Sequence, residues 1–111
     1  MAQFHITFQV QGIGAIELPV TPLDDLIVLV NGLEVKTFRF SVQNTLALPV
    51  TLNIAASQTG TSAGQIVVTF DVNPVTIESG LSAIVTATIT PTQPLLEGTL
   101  IGVDVVGTQS V

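Results

Sequence analysis

Val, Ile, Thr and Phe alternate with polar residues along most of this chain, and the 3.6-residue spacing of an amphipathic helix is nearly absent. Phe4, Ile6, Phe8 and Val10 fall on one side of an extended segment and His5, Thr7 and Gln9 on the other, which predicts a strand over 4–10 buried on one face. Gly12-Ile13-Gly14 then breaks the pattern. Residues 15–20 resume an extended path that Pro19 and Pro22 confine to an edge or a crossing segment. Leu26-Ile27-Val28-Leu29-Val30 is apolar on both faces, as a strand covered on both sides would be. Asn31-Gly32, which readily takes positive φ at both turn positions, predicts a hairpin between 26–30 and 33–43.

Further along, Phe38, Phe40 and Val42 share an inward face, as do Val50, Leu52, Ile54 and Ala56. The polar stretch 57–64 reads as an exposed connection. Ile66, Val68, Phe70 and Val72 alternate next, Pro74 ends that strand, and 75–78 is a short one. Val85, Ala87 and Ile89 then face inward, Pro91 and Pro94 bracket a loop, and Ile101, Val103 and Val105 face inward in the last strand. Eight or nine short strands at this spacing predict an all-β chain, an Ig-like antiparallel β-sandwich with an additional N-terminal strand segment.

Length and composition narrow the picture. With 111 residues there is room for one domain, made of N-terminal strands and a hairpin over 1–37 and an Ig-like module over 38–108. Hydrophobic residues make up 47% of the chain and charged ones 9%, against the roughly 25% usual for soluble domains. That balance excludes intrinsic disorder. Lys36 and Arg39 face eight acidic residues for a net charge of −6, so no phosphate-neutralising surface for nucleic acid can be assembled, and anionic membranes are disfavoured. The longest aliphatic run, Leu26 to Val30, is far shorter than the roughly 18 residues of a spanning helix. There is no cysteine, hence no disulfide and no thiolate site. No secretory signal is visible at Met1–His5, and no Asn stands in a glycosylation sequon.

Candidate chemistry is sparse. His5 is the lone histidine, on the polar face of its strand, and no Gly-x-Ser-x-Gly elbow accompanies it. Gly12-Ile13-Gly14 starts a dinucleotide-like motif that fails at Glu17, and reads as a bulge or bend. Asp24 and Asp25, with Glu17 as a third carboxylate, are the residues from which a calcium site would be built, and solvated turn residues are the better reading. Lys36 and Arg39 share a strand with Glu34 beside them, the makings of an ion pair within the chain or to a neighbour. The expectation is no catalytic residue, no cofactor and no metal.

Six stretches carry a resemblance: 40–45 (Phe-Ser-Val-Gln-Asn-Thr), 48–52 (Leu-Pro-Val-Thr-Leu), 70–74 (Phe-Asp-Val-Asn-Pro), 77–80 (Ile-Glu-Ser-Gly), 85–91 (Val-Thr-Ala-Thr-Ile-Thr-Pro) and 97–103 (Glu-Gly-Thr-Leu-Ile-Gly-Val). In order and spacing this text resembles CARDB-type and related Ig-like modules of bacterial and archaeal surface proteins, departing at Leu46, where Gly is common, and at Leu100, where an aromatic is. The resemblance implies a seven-stranded sandwich used for spacing, display or adhesion, with no family active site.

Outward apolar residues are the remaining signal. Val67, Ile84, Leu100 and Val106 lie opposite the predicted core, and Leu95-Leu96 sits in a loop. Val67, Ile84, Leu100 and Val106, together with Phe4, Ile6, Phe8 and Val10 of the N-terminal segment, form the candidate interface. The expected role is a non-enzymatic structural protein packing into a larger assembly: a virion capsid, decoration or tail component, or a cell-surface layer or filament subunit. Its partners would be copies of itself or a capsid or surface-layer protein, and its location a virion or extracellular surface assembly. Removal of residues 1–12 is expected to abolish assembly and leave a folded core. The alternatives are a carbohydrate- or cell-surface-binding module, which the lack of Trp and Tyr disfavours, and a small hydrolase working through His5.

Overall fold

The computed structural model describes residues 2–11, 18–60 and 65–109. Nine strands form, and no helix occurs among the described residues: β1 (Ala2–Gln11), β2 (Val20–Pro22), β3 (Ile27–Val30), β4 (Lys36–Gln43), β5 (Val50–Gly60), β6 (Ile66–Phe70), β7 (Val75–Ile77), β8 (Ser82–Pro91) and β9 (Leu100–Gln109). They make two sheets, a five-stranded one in the order β3-β1-β9-β5-β7 and a four-stranded one in the order β2-β4-β8-β6. Their inner faces close on one aliphatic cluster, with Phe4, Phe38, Phe40, Leu52, Ile89 and Ile101 among the fully buried side chains. The rings of Phe8 in β1 and Phe40 in β4, with centroids 4.4 Å apart, join the two layers. The all-β sandwich follows from the alternation, since each strand has one apolar face to cover.

Several expectations are corrected, among them the place of Val72 in the strand of Ile66, Val68 and Phe70: β6 ends at Phe70 and Val72 is exposed. The antiparallel sandwich contains one parallel pair: β1 runs alongside β9 from Gln3–Leu100 to Gln11–Thr108. The hairpin across Asn31-Gly32 does not form, because β3 pairs with β1 in one sheet while β4 pairs with β2 and β8 in the other. Gly32 does take positive φ (54°), but it turns the chain from one sheet to the other and bridges to Leu95. An Asn-Gly turn reports on local backbone and does not choose the partner of the strand before it. β3 itself is an edge strand, with Ile27 57% and Leu29 54% exposed, rather than one covered on both sides. Finally, Ser57–Gly60 continues β5 instead of looping out, pairing with β9 as far as Gly60–Ile101, and Ala56 is exposed. This half of β5 runs past the end of β7, which pairs only with residues 50–52, and so lies at the margin of the sheet.

The N-terminal segment is the larger surprise. Phe4, Ile6 and Val10 are 0%, 3% and 3% exposed, in a strand flanked by neighbours on both sides. It is interior structure, and its loss removes the middle of a sheet. The expectation that residues 1–12 can be deleted from a folded core is therefore overturned.

A single buried amide ties the two layers at one end. Asn44, fully buried just after β4, donates through Nδ2 to the carbonyls of Leu48 (2.8 Å) and Ile77 (2.9 Å), while its Oδ1 accepts from the N–H of Leu46 (2.9 Å). Its backbone N–H donates to the Leu81 carbonyl, and its own carbonyl accepts from Gly80. The side chain thus satisfies polar groups of the 44–49 connection and the end of β7, and the backbone of the same residue those of the 78–81 turn. Asn73 does a related job, its amide exchanging hydrogen bonds with the N–H and C=O of Ile54 as a further strand would.

Two outcomes follow. Phe4→Ala should lower unfolding free energy by about 3–5 kcal/mol, and deletion of 2–11 should leave no cooperative transition in urea followed by far-UV circular dichroism. Asn44→Ala leaves the buried Ile77 carbonyl and two part-buried groups, the Leu48 carbonyl and the Leu46 N–H, without their partner; at about 1–3 kcal/mol for the buried group and less for the others, the same measurement should show a loss of about 2 kcal/mol. Asn44→Asp should not rescue it, since both donations to carbonyls are lost.

Candidate interaction surface

The eight candidate interface residues do not gather. Phe4, Ile6 and Val10 are core, Phe8 is half-buried against Phe40, and Val106 is half-buried between Gln9 and Ala55 in its row of the five-stranded sheet. Val67, Ile84 and Leu100 are exposed, but on two different faces. Val67 pairs with Thr90, six residues along β8 from Ile84, a separation of about 20 Å at the ~3.3 Å rise of a strand. Of the loop pair, Leu95 is buried and only Leu96 is exposed.

Apolar exposure concentrates elsewhere. Of the thirteen exposed large hydrophobics among the described residues, six fall between residues 23 and 35: Leu23, Leu26, Ile27, Leu29, Leu33 and Val35. They are β3 and the segments that enter and leave it. Leu29 and Leu100 stand in one row across β3, β1 and β9, with Gln3 between them. Periodicity missed this surface because a strand apolar on both sides carries no mark of which side is inward. The available signal was the absence of any charge or proline between Leu26 and Val30.

Backbone geometry sharpens the edge. The Ile6 N–H donates to the Leu26 carbonyl in the antiparallel β1–β3 register, so Val28 and Val30 turn their N–H and C=O groups toward β1. Ile27 and Leu29 turn theirs outward, where the sheet has no further strand among the described residues.

Polar side chains are mostly engaged with one another. Asp24 binds Arg39 with both carboxylate oxygens, Oδ2 to Nε and Oδ1 to Nη2, each at 3.1 Å, and also accepts the Arg39 N–H at 2.9 Å. Side-chain hydrogen bonds from Arg39 hold the Asp24 carboxyl below the usual carboxylate range, and the same bonds push Arg39 upward. The pair fixes the β2–β3 connection against β4. Lys36 meets Glu34 at 3.1 Å, and Thr7 donates to Asp104 at 2.6 Å across the parallel pair. Asp25 is exposed, Glu17 lies outside the described residues together with the 12–14 bend, and no group of three His, Cys, Asp or Glu suited to a metal occurs among the described residues. His5 is exposed, with Nε2 3.1 Å from Gln3 Oε1. None of the five phenylalanines is exposed, so the aromatic platform that sugar stacking uses is not presented.

No protein-family model matches the chain, and no curated protein matches it. The likeness of 38–108 to CARDB-type modules thus rests on the residues quoted for it.

Asp24 gives a prediction with a definite sign. Folding lowers its pKa, so its contribution to stability is present at neutral pH and is lost as pH falls through the folded-state value, below about 4. Wild type should be the more stable protein at pH 7 and converge with Asp24→Asn in acid. Urea midpoints that stay equally far apart down to about pH 2 would remove this assignment.

Proposed function

We propose that the protein is a non-enzymatic structural subunit that packs into a larger assembly, of the virion capsid, decoration or tail kind or of the cell-surface layer or filament kind. The observation that carries this reading is the concentration of exposed apolar side chains along residues 23–35, six of the thirteen exposed large hydrophobics among the described residues, around an uncharged β3 in a chain with 9% charged residues. A surface of that composition is costly to keep in water, and burial against a protein partner offsets the cost. The low charge count fits the same role, because a subunit covered by neighbours has less need of a solubilising exterior. Sedimentation equilibrium over a concentration series should give a mass well above 11.5 kDa that rises with concentration. A sharp 11.5 kDa species throughout would overturn the proposal.

A further inference from the structure

We infer that β3 is a self-association edge, across which a second copy of this chain adds its own β3 antiparallel and joins two five-stranded sheets into one. The inference rests on the assembly reading above and names its surface and partner.

The four terminal strands differ in how they are protected, and the further margin that β5 leaves beyond β7, Ala56–Gly60, carries no large apolar side chain. β2 lies between Pro19 and the end-residue Pro22; in its register with β4, Pro22 is an outward position and has no N–H to offer. β7 is three residues long and follows Pro74. β6 has the outward carbonyl of Ile66 taken by the Gln58 side chain at 2.9 Å, and Asp71 follows it directly. Lysine, a common guard of a strand edge, is unavailable to all four, since Lys36 is the chain's single lysine and pairs with Glu34. β3 has no proline and no charge, no side chain among the described residues caps its outer groups, and its outward-facing residues are Ile27 and Leu29.

A two-fold pairing of β3 with itself satisfies that edge. With Val28 opposite Val28 of the second copy, Ile27 faces Leu29 and Leu29 faces Ile27, and the outward N–H and C=O groups of both residues close four backbone hydrogen bonds. The four exposed side chains come together on one face, at the ~5 Å spacing of cross-strand pairs. Charge permits this between two chains of net charge −6. Continuing the same register places Asp25 opposite Asn31, Asp24 opposite Gly32 and Glu34 opposite Pro22, so no carboxylate opposes another.

Leu29→Pro is a selective probe, because it removes an outward N–H and leaves the hydrogen bonds from β1 to Val28 and Val30 intact. Sedimentation of wild type, Leu29→Pro and the double variant Ile27→Lys/Leu29→Lys should show the assembly mass falling at least twofold in both variants, with far-UV circular dichroism unchanged. A folded variant with the wild-type mass overturns the β3 edge while leaving the assembly proposal standing, whereas a wild type that is monomeric overturns both. A third measurement does not depend on the variants' stability. The chain has no cysteine, so Ile27→Cys and Leu29→Cys proteins mixed under oxidising conditions should form a mixed disulfide dimer in preference to either alone. Absence of that dimer from a wild-type-sized assembly also overturns the inference.

Discussion

The parallel contact between the first and last strands sets the rest of the structure. β1 lies between β3 and β9, pairs with β9 along nine residues and brings Phe4, Ile6 and Val10 into the core. A parallel neighbour cannot be reached by a tight turn, so this pair closes late in sequence terms and joins the two ends of the chain. It also decides what is exposed. With β1 occupying the position beside β9, β3 is displaced to the margin of the sheet, and an apolar strand that would serve as interior in a central position becomes an edge. The Thr7–Asp104 hydrogen bond, formed across this same pair, puts one of the few acidic groups to structural use on the outer face.

Much of the fold was legible because alternation is a direct record of one-sided burial. Phe38, Phe40 and Val42 in β4, Val85, Ala87 and Ile89 in β8, and Ile101, Val103 and Val105 in β9 all face inward as their spacing implies. Pro19 and Pro22 correctly confine β2 to an edge. Strand pairing was not legible, for a physical reason: a turn signal such as Asn31-Gly32 constrains two φ angles, while the partner of β3 is chosen by the apolar face of β1, over twenty residues away. The candidate surface suffered from the opposite problem. Leu26–Val30 has too much hydrophobicity for a pattern to show, and only its place at the margin of the sheet reveals that Leu26, Ile27 and Leu29 stay exposed.

Asn44 shows how a polar residue can be fold-determining without being a site. A buried side-chain amide is tolerated only when its donors and acceptor are met, and here they are met by the Leu46 N–H and Leu48 carbonyl of the 44–49 connection and by the Ile77 carbonyl of β7, in the sheet that does not contain β4. The sequence marks it as a strand-end asparagine before a Thr, a residue type common in turns. Its burial comes from tertiary placement: the 78–81 turn packs over it through hydrogen bonds from Asn44 to Leu81 and from Gly80 to Asn44. The two layers are thereby locked at the end of the sandwich opposite the 31–35 crossing.

The low charge count is best understood through where the few charges went. Both cations are held within 3.1 Å of carboxylates of their own chain, and both of these pairs lie next to β3: Asp24–Arg39 secures the segment entering it, and Glu34–Lys36 the segment leaving it. The strand between them is left uncharged. Exposed ion pairs contribute little to stability, so their placement matters more for geometry than for energy. They hold the flanks of β3 in fixed positions while leaving the edge itself free of the repulsion that two copies of a chain with net charge −6 would otherwise feel. A sparse charge set distributed this way acts on the edge from both sides: it rigidifies the approach to β3 and withholds from β3 the lysine that would keep a second strand away.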